Sequence, residues 1–203
     1  MTLSLALSFL ERTRLPVAVV ELTHAASGFL TVLDPQRLQA APADADAYAV
    51  ITQGAPLATW ESGHGALTVV PMDGRRASLL TPADFAAFLC SLRERYTLTI
   101  IDAVQPHPLW YPVRDEADLI FVTASAARPD TIANAQLLLD ELGDDERVRL
   151  VINMAAAADR LAAKLAAPWA GCESLTITRR EAVARYADRL PEVTARIWPG
   201  VRL

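Results

Sequence analysis

The sequence predicts a single α/β domain over residues 1–203, a mainly parallel, doubly wound sheet with helices on both faces. Three observations predict it. Strand-like and helix-like segments alternate from end to end, the order that strand–helix–strand units impose. The strand-like segments "VAVVEL", "TLTIID", "LIFVTA" and "VRLVINM" are near-continuous apolar runs, as strands buried on both faces are. Between Tyr96 and Asp118 one such run stops at a lone acid, Asp102, passes through a loop and gives way to a second run. That is how a parallel strand delivers a carboxylate to the carboxyl edge of a sheet, where open α/β sheets bind ligands.

A chain of 203 residues has room for a sizeable core, and 52% hydrophobic residues mark it as folded rather than disordered. A net charge of −5 argues against a nucleic-acid surface. No apolar run approaches the ~20 residues that span a bilayer. "TLSLALSFL" lacks the basic start and small-residue cleavage site of a signal peptide, so a cytoplasmic protein is expected. Cys90 and Cys172 stand alone and read as reduced thiols, and the three His form no ligand pattern. Of the 19 Lys and Arg residues only Lys164 is a lysine; it lies in the Ala-rich helical stretch "DRLAAKLAAPW", far from any Gly-rich loop.

In order, residues 2–14 carry apolar positions at helical spacing and a basic end, as a helix C-terminus prefers. "LPVAVVEL" follows as a buried strand with Glu21 near its carboxyl end. Residues 23–39 read as a loop with a short helix that Gly28 breaks and Asp34–Pro35 restarts, and "APADADA" as a surface connection. "YAVITQ" and "ALTVVP" read as two short strands, with a turn or excursion in "GAPLATWESGHG" between them. Thr81 and Pro82 open a helix: the hydroxyl caps it, the proline suits its first turn, and Asp84 complements the dipole. Its apolar face is Phe85, Phe88, Leu89 and Leu92, and Cys90 is expected to pack near that face. Strand "TLTIID", the loop "AVQPHPLWYPVRDEA" and strand "DLIFVTA" come next. Helix "RPDTIANAQLLLDEL" stops at Gly143; strand "VRLVINM", the Ala-rich helix through Lys164, strand "SLTIT" and a last helix over residues 179–198, interrupted by Pro191, complete the chain.

The run "RERYTLTIIDAVQPHPLWYPVRDEADLIFVTASAARPDTIANAQLLLDEL" followed by "RVRLVINM" resembles the ParA/MinD superfamily of deviant-Walker (SIMIBI) ATPases, which carry a strand ending in Asp, a loop, a second strand, a helix and a "vvN" strand in that order. "LTITRREAVARYADRLPEV" is similar to the family's closing strand and helix, and "TLSLALSFLERTRLPVAVVEL" to the helix after its phosphate loop and the strand that follows. The resemblance covers nearly the whole chain and rests on order and pattern. It implies a P-loop NTPase-like fold, here with the first strand and the K-G-G-x-G-K-T loop missing, since both should precede Thr2.

The departures bear on function. By the resemblance, Met1 falls where the family has its metal-binding Thr or Ser; the D-x-D after the second strand becomes Glu21-Leu22-Thr23, so Thr23 stands where an acid orients water. Asp102 is kept, but the "IIDTPPG" switch becomes "IIDAVQP". The closing IP-x-D has Thr178 and Arg180 in place of its Pro and Asp, and Asn153 matches the base-contacting Asn. Phosphoryl transfer is mostly positioning and stabilisation of spread negative charge, and these losses remove most of it. No catalytic residue and no cofactor are therefore expected. Asp102, Asn153 and Glu21 read as relics of a nucleotide and Mg²⁺ site: Asp102 either holds a metal through water or caps the sheet edge, and Asn153 either contacts a purine or satisfies loop backbone.

Trp110 and Tyr111 are either anchors of a homodimer interface or rings folded onto the core. Arg179 and Arg180 open a helix where positive charge is disfavoured, which points to an acidic partner, a bound anion or a solvated pair. The expected function is a degenerate, non-hydrolysing interaction or positioning factor for a cell-envelope or secretion machine. The resemblance places it near the CpaE/TadZ pilus-assembly and BcsQ/YhjQ cellulose-secretion proteins. Such a factor would be homodimeric, bound to a protein partner, without nucleic acid or direct membrane insertion, and recruited to the inner membrane or pole. The alternative is an active ATPase, using ATP and Mg²⁺, whose phosphate loop lies upstream of Met1. A capsular-type tyrosine kinase shares the fold, but Tyr186 is alone near the C-terminus.

Overall fold

The structure, a computed structural model, describes residues 2–23, 29, 33, 38–39, 46–125, 128–155 and 174–178. Contacts divide the chain into two compact units, one carrying the elements up to Glu116 and one beginning at Ala117.

In the first unit, α1 (Thr2–Thr13) leads into β1 (Val17–Leu22). The helix ends on Arg14, whose φ of 60° is left-handed and whose N–H donates to the Leu10 carbonyl at 2.9 Å. β2 (Leu38–Gln39), α2 (Ala47–Gln53), β3 (Ala58–Ser62), β4 (Gly65–Val70), α3 (Gly74–Ala77), α4 (Pro82–Arg95), β5 (Leu98–Ala103) and α5 (Trp110–Glu116) follow. The sheet order is β2-β3-β4-β1-β5. β4, β1 and β5 run parallel, and β3 and β2 extend the sheet antiparallel. A parallel core with an antiparallel edge is a common form of mixed sheet.

β1 lies between β4 and β5, and all six of its residues are buried. One face of the sheet, Val17, Val19, Leu67 and Val69 with Leu98 and Ile100, packs on Ala6, Phe9 and Leu10 of α1. The other face of β1, Ala18, Val20 and Leu22, is equally sealed. α4 forms as its sequence requires. Thr81 Oγ1 accepts the Asp84 N–H at 3.1 Å and donates to Asp84 Oδ2 at 2.6 Å, while Phe85, Phe88, Leu89 and Leu92 are buried.

Four local expectations need correction. "YAVITQ" is the helix α2, not a strand: Asp46 Oδ1 accepts the Ala49 N–H at 3.0 Å, and Gly54 closes the other end with φ +65°. "GAPLATWESGHG" is not merely a turn; it contains β3 and a two-residue hairpin connection, with Ser62 paired to Gly65. The loop after Asp102 contains α5. Cys90 is exposed, because it lies about 100° around the helix from Leu89, beyond the buried face.

In the second unit, β6 (Ile120–Ser125), α6 (Pro129–Leu142), β7 (Val148–Ala155) and β8 (Ser174–Thr178) build a parallel sheet of order β6-β7-β8. α6 packs on β6 and stops at Gly143, whose φ is +59° and whose N–H donates to the Leu139 carbonyl. Arg147 fixes the way into β7: its guanidinium grips Asp145 through Nε at 3.0 Å and Nη2 at 2.7 Å, and its Nη1 donates to the Ala117 carbonyl at 2.8 Å. The loop elements around Gly28 and Asp34–Pro35, the Ala-rich helix with Lys164, Cys172 and the closing helix lie outside the described residues.

Candidate functional site

β1 and β5 are neighbouring parallel strands, and their register places Glu21 opposite Asp102. Partners in register on parallel strands point to the same face. Both carboxylates therefore rise from the face that α1 covers farther back along the strands, at the carboxyl edge of the sheet. Glu21 is 8% exposed, and its Oε2 accepts the Phe29 N–H at 3.4 Å. Asp102 is half-buried and makes no hydrogen bond or ion pair among the described residues. Thr23 follows β1, where it contributes no charge.

The chain leaves β5 through Val104, whose N–H donates to the Leu22 carbonyl at 3.0 Å, then crosses the cis Gln105–Pro106 bond. His107 is buried. Its Nδ1 accepts the Leu109 N–H at 3.1 Å, and its carbonyl accepts the Trp110 N–H at 3.0 Å, so the ring and backbone of this residue set the start of α5. Trp110 is 6% exposed and lies in the core, with its Nε1 unpartnered; Tyr111 is 57% exposed and carries the Arg114 guanidinium over its ring at 5.3 Å. Of the two aromatics, only Tyr111 presents its ring at the surface.

Asn153 lies in β7 opposite Ser125 of β6, in the second unit. Arg179 and Arg180 lie outside the described residues. Sequence reasoning overlooked Gln105, whose Nε2 is buried without a partner. The only signal for it was its place three residues after Asp102. Among the described residues no three His, Cys, Asp or Glu come together as a metal site would require. None of the described helices is long and apolar enough to cross a membrane.

The donor set at this edge is two adjacent carboxylates. It suits a cation, or a cationic side chain, and it repels a triphosphate unless a metal or a lysine stands between them. No family model matches the sequence, and no curated protein does. Solved structures do match. A ParA family ATPase from Chlorobium tepidum TLS superposes with a TM-score of 0.67 at 13% identity, covering 98% of this chain and 86% of that one.

The chain has the ParA/MinD fold.

Further ParA/MinD structures align comparably. The MinC:MinD cell division protein complex of Aquifex aeolicus gives a TM-score of 0.64 at 13% identity over 93% of this chain and 79% of that one. A plasmid partition protein from Borrelia burgdorferi B31 bound to AMPPNP gives 0.65 at 12% identity over 98% and 92%. β1 and β5 bring the Glu21–Asp102 pair to the rim of the sheet.

Proposed function

We propose that this chain is a degenerate ParA/MinD-like protein that no longer hydrolyses ATP and serves as an interaction and positioning factor. The observation that supports this reading best is the Glu21–Asp102 pair at the sheet's rim in a sequence without a lysine-bearing Gly-rich loop to set against it. Its one lysine, Lys164, is in an Ala-rich stretch, no Gly-rich loop occurs in the 203 residues, and Thr23 takes the place of a second acid. A cradle of backbone N–H groups and a lysine is what holds a β- or γ-phosphate against such an acid.

One structural neighbour is a complex of MinD with MinC. By that likeness the chain works with a protein partner; we further propose that it is a homodimer in the cytoplasm. A cell-envelope or secretion machine of the pilus-assembly or cellulose-secretion kind is the assembly it would recruit to the inner membrane or pole. Neither nucleic acid nor direct membrane insertion enters this reading. The second reading, an ATPase completed by a phosphate loop upstream of Met1, draws its support from the retained acid pair and from a neighbour that binds AMPPNP. Sedimentation separates them. The degenerate protein has the same dimer mass with and without MgATP and releases no phosphate. A mass that rises only with MgATP, or steady phosphate release, overturns the proposal.

A further inference from the structure

After β4 the chain passes through a surface segment that the proposed function does not use. Residues 73–79 read Asp-Gly-Arg-Arg-Ala-Ser-Leu. They set two arginines, Arg75 and Arg76, three and two positions before the hydroxyl of Ser78, with an apolar side chain directly after it. Ser78 is exposed and Leu79 is 65% exposed; among the described large apolar side chains only Leu137 stands farther out. Arg75 is exposed and has no ion pair among the described residues. A lone exposed leucine asks for no explanation. One that follows a hydroxyl and two cations at fixed spacing completes a pattern of the kind by which serine kinases choose substrates.

The structure leaves that hydroxyl within reach. Ser78 caps the C-terminal end of α3, and its Oγ donates to the Arg75 carbonyl at 2.7 Å. α3 is a single turn of four residues, too short to be stable by itself. Its supports are local. Asp73 Oδ1 accepts the Arg75 N–H at 2.9 Å, and the Arg76 guanidinium lies 3.3 Å from Asp46 Oδ1 and 4.9 Å over the Tyr48 ring. Ala77 is the buried side chain of the turn, so drawing the segment out into an extended form withdraws a single methyl from the core. Leu80, 6% exposed, anchors the segment on its far side.

We propose that Ser78 is a phosphorylation site for a basophilic serine kinase, an enzyme whose peptide groove presents carboxylates to Arg75 and Arg76 and an apolar pocket to Leu79. The co-substrate is ATP. Ser78 Oγ attacks the γ-phosphorus, the bond from that phosphorus to the β,γ-bridging oxygen breaks, ADP leaves, and the hydroxyl proton passes to the kinase's catalytic aspartate. The product carries about −1.5 to −2 charge at pH 7 on the residue before Leu79. Arg75, three residues back, lies on the same side of the turn to receive it. The patch changes from basic and apolar to acidic. Ser78 is such a site whether or not the chain itself hydrolyses ATP.

The test offers MgATP and the catalytic subunit of cAMP-dependent protein kinase to the folded 203-residue chain and to a synthetic peptide of residues 73–80, with phosphate mapped by mass spectrometry. The chain is expected to take phosphate on Ser78 at a rate within about tenfold of the peptide, the difference being the opening of one turn. Ser78→Ala is expected to abolish it. Arg75→Gln, which leaves the contacts of Arg76 with Asp46 and Tyr48 in place, is expected to slow it about tenfold, the worth of one charge-assisted hydrogen bond. Recovered from its native cells in each growth phase, the chain is expected to carry phosphate on Ser78.

A peptide that is phosphorylated while the folded chain is not would mean that the fold shuts the site, and overturns the proposal. So does phosphate on other residues in place of Ser78, and so does an Arg75→Gln chain modified at the full rate. Native chain without phosphate on Ser78 in every growth phase overturns it as well.

Discussion

Trp110 and Tyr111 are neighbours in sequence with opposite fates, and the difference is measurable. Trp110 packs into the core, so Trp110→Ala is expected to cost about 3–5 kcal/mol in denaturant unfolding, the range for emptying a buried aromatic site. Tyr111 stands in solvent under Arg114, so Tyr111→Ala is expected to change stability by no more than about 0.5 kcal/mol while weakening self-association in sedimentation. A destabilised Tyr111 variant, or a Trp110 variant of normal stability, would reverse the assignment. Both readings of this dipeptide were open in the sequence, because an aromatic pair in a loop looks the same whether it anchors a partner or the core. Arg14 is a second residue whose state no pattern revealed. An arginine at φ 60° is strained where glycine is not, so Arg14→Gly is expected to hold or raise stability by about 0.5–1 kcal/mol. A loss of 1 kcal/mol or more would show that the arginine side chain contributes more than its backbone costs.

Among the elements, those with agreeing signals were legible. The stretch from Thr81 onward had a cap, a proline, an acid in the first turn and one apolar face, and α4 forms over it. Thr81→Ala removes the cap and is expected to cost about 1 kcal/mol in denaturant unfolding; an unchanged midpoint would mean that the Thr81–Asp84 bonds do not form. The stretch at Ala47–Gln53 had conflicting signals. Val50, Ile51 and Thr52 are β-branched and read as a strand, while Asp46 and Gly54 at its two ends were the caps of a helix. α5 was hidden by Pro108 and Pro112, although Pro112 falls in the first turn, where a missing N–H costs nothing. At the start of α6, Arg128 holds the Asp130 carboxyl below its ordinary range through a 2.6 Å hydrogen bond. A depressed acid stabilises the folded state above its unfolded pKa, and that contribution fades as pH falls through the folded value. An NMR titration of Asp130 is expected to show a midpoint below the ~3.9 of a free aspartate; a midpoint at or above it would dissolve the pair.

For the whole molecule, alternation of elements and apolar runs were enough to foresee a parallel sheet and the acid at its rim, because buried parallel strands leave little choice of residue. The antiparallel β2–β3–β4 edge was not foreseen, since a half-exposed hairpin rich in Gly, Ser and Thr carries no continuous apolar run. The Glu21–Asp102 register was legible only in part: each acid ends its own strand, but which strands are neighbours is a property of the sheet. Function turns on what faces that pair. The central claim proposed is that the Glu21–Asp102 pair, in a sequence without a lysine-bearing Gly-rich loop, does not hold a nucleotide. Thermal unfolding of the 203-residue chain with and without MgATP tests it most directly. The account predicts an unchanged midpoint at millimolar nucleotide; a rise of several degrees that Asp102→Ala abolishes would contradict it.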